Sequence, residues 1–275
     1  MLRLLKIELH KLLYNKASRN LIVIYFCLLF AIALFATIRF NIGPFKLHLA
    51  EQGIFDFPYI WHFNTYVAAI LKFFLLLVIV SMMANEYSYL TLKQNLIDGL
   101  SKKEFVLSKF YTVVLFALVS TIVVFLISLV LGLIYSDYNE FGIIITDLEY
   151  LFAFFIKLVG FFSFGLFLGI LIKRSAFAVA GMVVWLIIEQ IIFGFLWKTN
   201  ESIAQTIKNF LPLEAMQNLI VEPFSRLKTV KSITQQIGGD VIKDYSISSI
   251  NILIILIWTA FFVFGSYFLL KKRDL

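Results

Sequence analysis

Charged residues are scarce in this chain of 275 residues, because Asp, Glu, Lys and Arg make up only 15% of it. Hydrophobic residues make up 61%, whereas soluble domains carry roughly 45–50% apolar and about 25% charged residues. Such a chain has too little polar surface to cover an apolar core in water. The composition therefore excludes a soluble globular domain and indicates an integral membrane protein, whose outer surface is solvated by lipid.

Cysteine and histidine are also rare, with one Cys and three His. Cys27 has no partner for a disulfide within the chain, and His10, His48 and His62 lack the spacing of metal ligands on a helix. The sequence contains neither the Gly-x-Ser-x-Gly pattern of a nucleophile elbow nor the Gly-x-x-x-x-Gly-Lys-Ser/Thr pattern of a P-loop. We therefore expect no catalytic, metal or cofactor site, and any ATP-driven function needs another subunit.

Long hydrophobic runs are what the chain has instead. Six of them are long enough to span a bilayer, which takes roughly 20 apolar residues. Backbone polar groups in lipid must be satisfied internally, so all six runs are predicted to be helices. They cover residues 21–40, 59–84, 110–135, 148–172, 176–197 and 247–270. The sequence predicts an all-α integral membrane protein with six transmembrane helices.

Residues 2–19 precede the first run and place leucines at helical spacing, with basic residues mostly off that stripe. This pattern is typical of an amphipathic helix that lies along an anionic membrane surface. An ordinary charged flank of the first span is the alternative. We predict an interfacial helix at residues 2–19.

The distribution of Lys and Arg predicts the orientation. Basic residues concentrate in residues 3–19, 93–109, 173–174 and 271–273, whereas residues 136–147 carry none. Both termini are therefore predicted to be cytoplasmic, in a multi-pass protein of the cell (inner) membrane. These flanks explain most of the net charge of +7, so no nucleic-acid partner is needed. The outer segment 198–246 is predicted to form short helices.

The inner segment 85–109 carries the most distinctive pattern. Leu92, Leu96 and Leu100 form an apolar edge of a short helix, which favours docking of a partner protein; a solvated turn is the alternative. Gly99 breaks this helix, and Ser101–Glu104 is a capping box that starts the next helix about two turns before the third span. A second capping box is predicted at residues 146–149.

Ionisable residues within or near the spans are Lys72, Lys157 and Glu189. Intramembrane charges are costly and usually face the protein interior or water, so these three are a possible intramembrane polar site. Snorkelling or a local structural hydrogen bond is the alternative. Gly165 and Gly169 form a small-xxx-small face for close helix packing.

The segment after the second span resembles that of ABC-2 type exporter permeases. In that family a Glu follows the span, then a Thr with an apolar residue, a turn with a basic residue, and Lys or Arg at the start of the next span. The matching positions here, with Leu96 on the same helix, are Glu86, Thr91, Leu92, Gly99, Lys102, Phe105 and Lys109. The layout of spans is similar along nearly the whole chain. One departure is Lys102, where many relatives carry Arg.

The resemblance implies a single ABC-2 type transmembrane domain over residues 1–275. It implies pairing with a second permease copy or a related permease, and docking of two ABC ATPase subunits that hold ATP and Mg²⁺. Residues 86–100 would be the coupling helix, and membrane lipid would surround the spans. The substrate of such an exporter would be amphiphilic, for example a peptide antibiotic, a lipid or a glycolipid.

Two alternatives come from other classes of protein. A stand-alone secondary transporter or channel predicts inverted repeats, broken helices and polar lining, and the spans here contain few Pro residues or charges. An intramembrane enzyme requires converging catalytic groups, and Glu189 alone does not provide them.

Overall fold

The structure is a computed structural model, and it describes residues 2–42, 45–48, 52–227, 229–230, 232, 236 and 243–273. These residues are mostly helical, which confirms the prediction of an all-α membrane protein. The helices in chain order are α1 (Leu2–Tyr14), α2 (Lys16–Phe35), α3 (Tyr59–Ile70), α4 (Lys72–Ser88), α5 (Thr91–Ile97), α6 (Lys102–Tyr135), α7 (Phe141–Ile145), α8 (Glu149–Ile172), α9 (Ser175–Thr199), α10 (Glu201–Phe210), α11 (Pro212–Asn218) and α12 (Ser249–Lys272).

A small antiparallel hairpin was not predicted from the sequence. Its strands are β1 (Arg39–Ile42) and β2 (Phe45–His48), paired with Arg39 opposite His48. The hairpin lies between the first two spans, where the sequence indicates only a short loop. The helix predicted over residues 2–19 is present as α1 but is shorter, because it ends at Tyr14 and residues 16–19 belong to α2. Its position along the membrane surface stays a prediction.

The second span differs from the prediction of one continuous helix over residues 59–84. The chain there forms α3 and α4, which are bent by 45° relative to each other. At the break, the Leu71 N–H donates to Ala68 O at 3.1 Å and the Phe74 N–H donates to Leu71 O at 3.1 Å. These are contacts over three residues, as in a 3₁₀ turn, and they tighten the helix locally. Five described helical segments are long and apolar enough to span a membrane, and the bent pair counts as the sixth span.

Helix α6 starts at the predicted capping box. The Ser101 Oγ accepts from the Glu104 N–H at 3.2 Å, and the Glu104 carboxylate accepts from the Ser101 N–H at 3.0 Å. The capping box predicted at residues 146–149 is wrong, because Leu148 is the N-cap of α8 and makes no side-chain cap. The Thr146 hydroxyl instead donates to Gly142 O at 2.8 Å and so closes α7.

Helix α8 is the centre of the bundle. It packs against α3, α4, α6, α9, α11 and α12, and 78% of its span is buried, compared with 17% for α2 and for α9. A Cβ on Gly165 would overlap Leu76 Cδ1, and one on Gly169 would lie 3.0 Å from Met83 Cβ. These two glycines therefore let α8 approach α4 closely.

The bundle has two ends. One end holds α1, α5, the start of α6 and the end of α12, and we call it the α5 end. The other end holds α7, α10 and α11, and we call it the α11 end. Polar contacts fix both ends: Lys102 Nζ donates to Arg273 O at 2.9 Å at the α5 end, and Trp258 Nε1 donates to Phe210 O at 2.8 Å at the α11 end.

Candidate functional sites

Four charged side chains meet at the α5 end, and we call them the charge cluster: Glu8, Lys11, Glu86 and Lys109. Lys109 Nζ lies 2.5 Å from Glu86 Oε1 and also binds Glu8 Oε2. Lys11 Nζ lies 2.9 Å from the same Glu86 oxygen and 3.6 Å from Glu8 Oε1. Two carboxylates and two ammonium groups balance each other, which is the arrangement that a buried charge requires.

The charge cluster lies mostly inside the protein. Lys109 is fully buried, Glu86 is 3% exposed in its side chain, and Lys11 lies at the rim with 36% exposed. Burial lowers the pKa of Lys11, but Glu8 and Glu86 outweigh this effect and raise that pKa above its ordinary value. Lys11 therefore remains a cation, and α1 is bound to α4 and α6 through charge.

The charge cluster also fixes α5. The second carboxylate oxygen of Glu86 accepts from the Thr91 hydroxyl at 2.6 Å and from the Asn95 amide at 3.5 Å. Leu92 is 2% exposed, and Leu96 and Leu100 pack half-buried against the core. The apolar edge of α5 thus faces the bundle itself, and it attaches α5 to its own chain.

The turn after α5 has a defined geometry. Gly99 has φ +94°, and a Cβ added to it would meet no other atom within 4 Å. Its N–H donates to Leu96 O at 3.2 Å, and the Leu100 N–H donates to Asn95 O at 3.0 Å, which together make a Schellman motif. The backbone therefore requires glycine at this position.

The opposite side of α5 and the two residues before it are exposed, and we call four of the exposed side chains there the α5 patch: Tyr89, Leu90, Lys93 and Ile97. Tyr89, Leu90 and Ile97 are 70%, 69% and 70% exposed. Leu90 has φ +56°, which turns the chain sharply between α4 and α5. Three apolar side chains and one lysine form a knob that projects from the α5 end.

The residues that the resemblance indicated fall into four places. Glu86, Thr91 and Lys109 meet in or beside the charge cluster, and Phe105 is fully buried with its ring centroid 5.1 Å from Lys109 Nζ. Leu92 and Leu96 face the bundle, and Gly99 forms the turn. Lys102 lies apart, where it binds the backbone at the end of α12.

Sequence reasoning missed three members of this site: Glu8, Lys11 and Asn95. Glu8 and Lys11 are spaced i, i+3 on α1, which is a visible signal for a shared face. Nothing in that spacing shows that the face meets Glu86 and Lys109, about 75 and 100 residues further on.

Glu189 binds α11. Its carboxylate accepts from the backbone N–H groups of Leu213 and Glu214 at 3.1 and 3.0 Å, and from Trp185 Nε1 at 2.7 Å. Glu189 is 2% exposed. Three donors thus satisfy this carboxylate, and it holds the first turn of α11 against α9.

Lys72 and Lys157 do not meet Glu189. Lys157 is 3% exposed, and its Nζ donates to Gln217 O at 3.4 Å. Lys72 Nζ lies 4.4 Å from the centroid of the Phe161 ring. The three intramembrane charges therefore form two separate arrangements. Among the described residues, no group of three His, Cys, Asp or Glu side chains could hold a metal ion.

Comparison with known proteins identifies the family. A family model described as "ABC-2 family transporter protein" matches residues 41–275, so α1 and α2, with Glu8 and Lys11, lie outside the matched region. No curated protein matches the chain in sequence. The matched region includes α5, Glu86, Lys109 and five of the six spans. This multi-pass membrane protein therefore belongs to the ABC-2 family of transporters.

Proposed function

We propose that this chain is the permease subunit of an ATP-driven exporter and that the α5 patch docks an ABC ATPase. The ABC-2 family consists of transport subunits that work with ABC ATPases. ATP and Mg²⁺ would bind to the partner chain. Two permeases, either two copies of this chain or this chain and a related one, would form the translocation path.

The attachment of α5 carries this proposal. A motor subunit can move a membrane helix only if the element that it pushes is fixed to that helix. Glu86 holds Thr91 and Asn95 on one side and Lys109 on the other, so α5 is tied to both α4 and α6. Displacement of the α5 patch is therefore transmitted to two spans at once.

The proposed orientation follows from this assignment. An ATPase works in the cytoplasm, so the α5 end and both termini would be cytoplasmic, in the cell (inner) membrane. The basic residues of α1 and the end of α12 support this orientation.

Substitution of the α5 patch tests the proposal. Ile97→Asp places a charge at an apolar position of the patch that is 70% exposed. The matched control is Phe141→Asp, because Phe141 is 77% exposed and lies at the α11 end. We expect Ile97→Asp to reduce co-purification of the partner ABC ATPase by about tenfold, and Phe141→Asp to leave it unchanged. Equal co-purification in both variants would contradict docking at α5.

A second set of variants separates docking from transmission. Substitution of Glu86, Thr91 and Leu96 is expected to lower substrate-stimulated ATP hydrolysis more than it lowers co-purification, because these side chains lie behind the patch. Intact assembly and intact coupling in these variants would contradict the proposed role of residues 86–100.

One observation favours a second candidate, a secondary transporter that works alone. Broken helices mark the binding sites of such transporters, and the second span is bent by 45° at Leu71. Uptake or efflux by the lone chain in proteoliposomes, driven by an ion gradient without ATP, would support this candidate.

A further inference from the structure

Two lysines within the bundle, Lys72 and Lys157, have no carboxylate partner among the described residues. Lys157 is 3% exposed and donates to one backbone oxygen, Gln217 O, at 3.4 Å. Lys72 faces the ring of Phe161. Within the part of the chain that the structure describes, neither ammonium group lies within salt-bridge distance of Asp or Glu. A lysine ammonium group has three donors, so both groups retain unused hydrogen-bonding capacity.

The two cations converge on one place. Lys157 and Phe161 are four residues apart on α8 and therefore share a face, and Lys72 Nζ lies 4.4 Å from the centroid of the Phe161 ring. Lys72 is also the first residue of α4, directly after the break at Leu71. The α4–α8 contact is thus strongly positive.

A cavity adjoins Lys72. It has a volume of about 130 Å³ and lies between α4, α8, α9 and α11, with Lys72 and Gln217 in its wall. Its remaining lining is apolar, and Phe73, Val183 and Leu186 at its rim are 44%, 50% and 41% exposed. The cavity therefore opens between α4 and α9 on the surface of the bundle that lipid covers.

We infer that this cavity binds the anionic headgroup of an amphiphile, with phosphate or carboxylate oxygens held by Lys72 in its wall. Lys157, which donates to Gln217 of the same wall, adds positive charge from behind it. The apolar rim then accommodates the chain of the amphiphile along Phe73, Val183 and Leu186. A negatively charged headgroup supplies the counter-charge that the described protein atoms do not. If the proposed function holds, the ligand of this cavity is the transported substrate, and the substrate class is then anionic amphiphiles. This step rests on the proposed function.

Lipid binding by the purified permease tests the inference. The probes are phosphatidylglycerol and phosphatidylcholine, which differ in headgroup charge, and native mass spectrometry measures their affinities for the full chain with its co-purified ATPase. We expect phosphatidylglycerol to bind about tenfold more tightly than phosphatidylcholine, because one or two charge-assisted hydrogen bonds contribute a free energy of that size. Lys72→Met and Lys157→Met should each weaken this preference, and the double variant should abolish it.

Control variants keep the test decisive. Lys198→Met removes an exposed lysine at the end of α9 and should leave the preference unchanged, and Lys157→Arg keeps the charge and should retain it. An unchanged preference for phosphatidylglycerol over phosphatidylcholine in the double variant would overturn the inference. Displacement of phosphatidylglycerol by millimolar inorganic phosphate would also overturn it, because a free anion would then be the ligand. ATPase co-purification is measured on the same preparations, so failure of the lipid site is distinguishable from failure of the proposed function.

Discussion

Lys109 on α6 and Glu86 on α4 form a buried ion pair, with 2.5 Å between Lys109 Nζ and Glu86 Oε1. The same Glu86 carboxylate holds α5 through Thr91. One side chain thus connects two spans to the short helix that projects from the bundle. This connection explains why the charge at residue 86 lies at the end of a span, where it can reach all three elements.

Glu86→Gln is expected to destabilise the permease. The substitution leaves Lys109 buried with Glu8 as its remaining carboxylate, and breaking a buried pair costs on the order of 3 kcal/mol. The apparent Tm in detergent should fall by about 5–10 °C. Asp98→Asn is the control, because Asp98 is exposed and binds only Gln94 within the described residues. Removing both charges, with Glu86→Gln and Lys109→Met, should recover part of the loss, and additive losses would contradict the pairing.

Gly165→Ala is expected to destabilise the contact between α8 and α4. The added Cβ would overlap Leu76 Cδ1, and Leu76 is 1% exposed, so its side chain would have to shift within the packed contact. Overpacking of this kind costs about 1–2 kcal/mol. Thermal unfolding in detergent measures the effect, and adding Leu76→Ala should relieve the overlap.

Gly194→Ala on α9 is the matched control for that substitution. A Cβ at Gly194 meets no atom within 4 Å, so alanine there should stabilise the helix by up to about 1 kcal/mol. Equal effects of alanine at positions 165 and 194 would show that the α4–α8 contact is looser than the structure indicates.

The sequence predicts the spans well because each apolar run is long and continuous. It does not predict the bend at Leu71, because no Pro or Gly marks the break and the turn depends on local backbone contacts. It also does not predict that Leu92 faces inward. An apolar edge on a short helix has the same pattern whether it covers its own bundle or a partner, and only the tertiary contact of Leu92 with the core distinguishes the two.

The same limit applies to the ionisable residues. Lys72, Lys157 and Glu189 are equally prominent in the sequence, but their environments differ. Glu189 has three donors and Lys157 has one weak acceptor. Apart from Trp185, four residues before Glu189, the hydrogen-bond partners come from α11, which is distant in sequence. The residues around positions 72 and 157 therefore carry no pattern that distinguishes these lysines from Glu189.

Glu189→Ala is expected to loosen α11 without affecting the docking of the ATPase. The N–H groups of Leu213 and Glu214 would lose their acceptor in a buried place, at a cost of about 1–3 kcal/mol for each group. Hydrogen exchange of residues 212–218 should accelerate at least tenfold. Glu189→Gln keeps one acceptor oxygen and should give a smaller effect, and Glu201→Gln, at the exposed start of α10, should give none. Unchanged exchange in Glu189→Ala would contradict the structural role and favour a role of this carboxylate in transport.

Arg273→Ala is expected to separate the ends of α12 and α8. The guanidinium group donates to Leu171 O at 2.9 Å, to Ile170 O and to the Tyr87 hydroxyl at 3.2 Å, so it joins three helices with a planar set of donors. Loss of these bonds should cost about 1–3 kcal/mol. Arg273→Lys should recover little, because a single ammonium group cannot reach both carbonyls with the geometry of the guanidinium fork. Lys271→Ala is the neighbouring control, since its side chain is exposed. The measurement is the apparent Tm of each of the three variants in detergent. If Arg273→Lys kept the Tm of the unsubstituted protein, charge alone, rather than the guanidinium fork, would hold the end of α8.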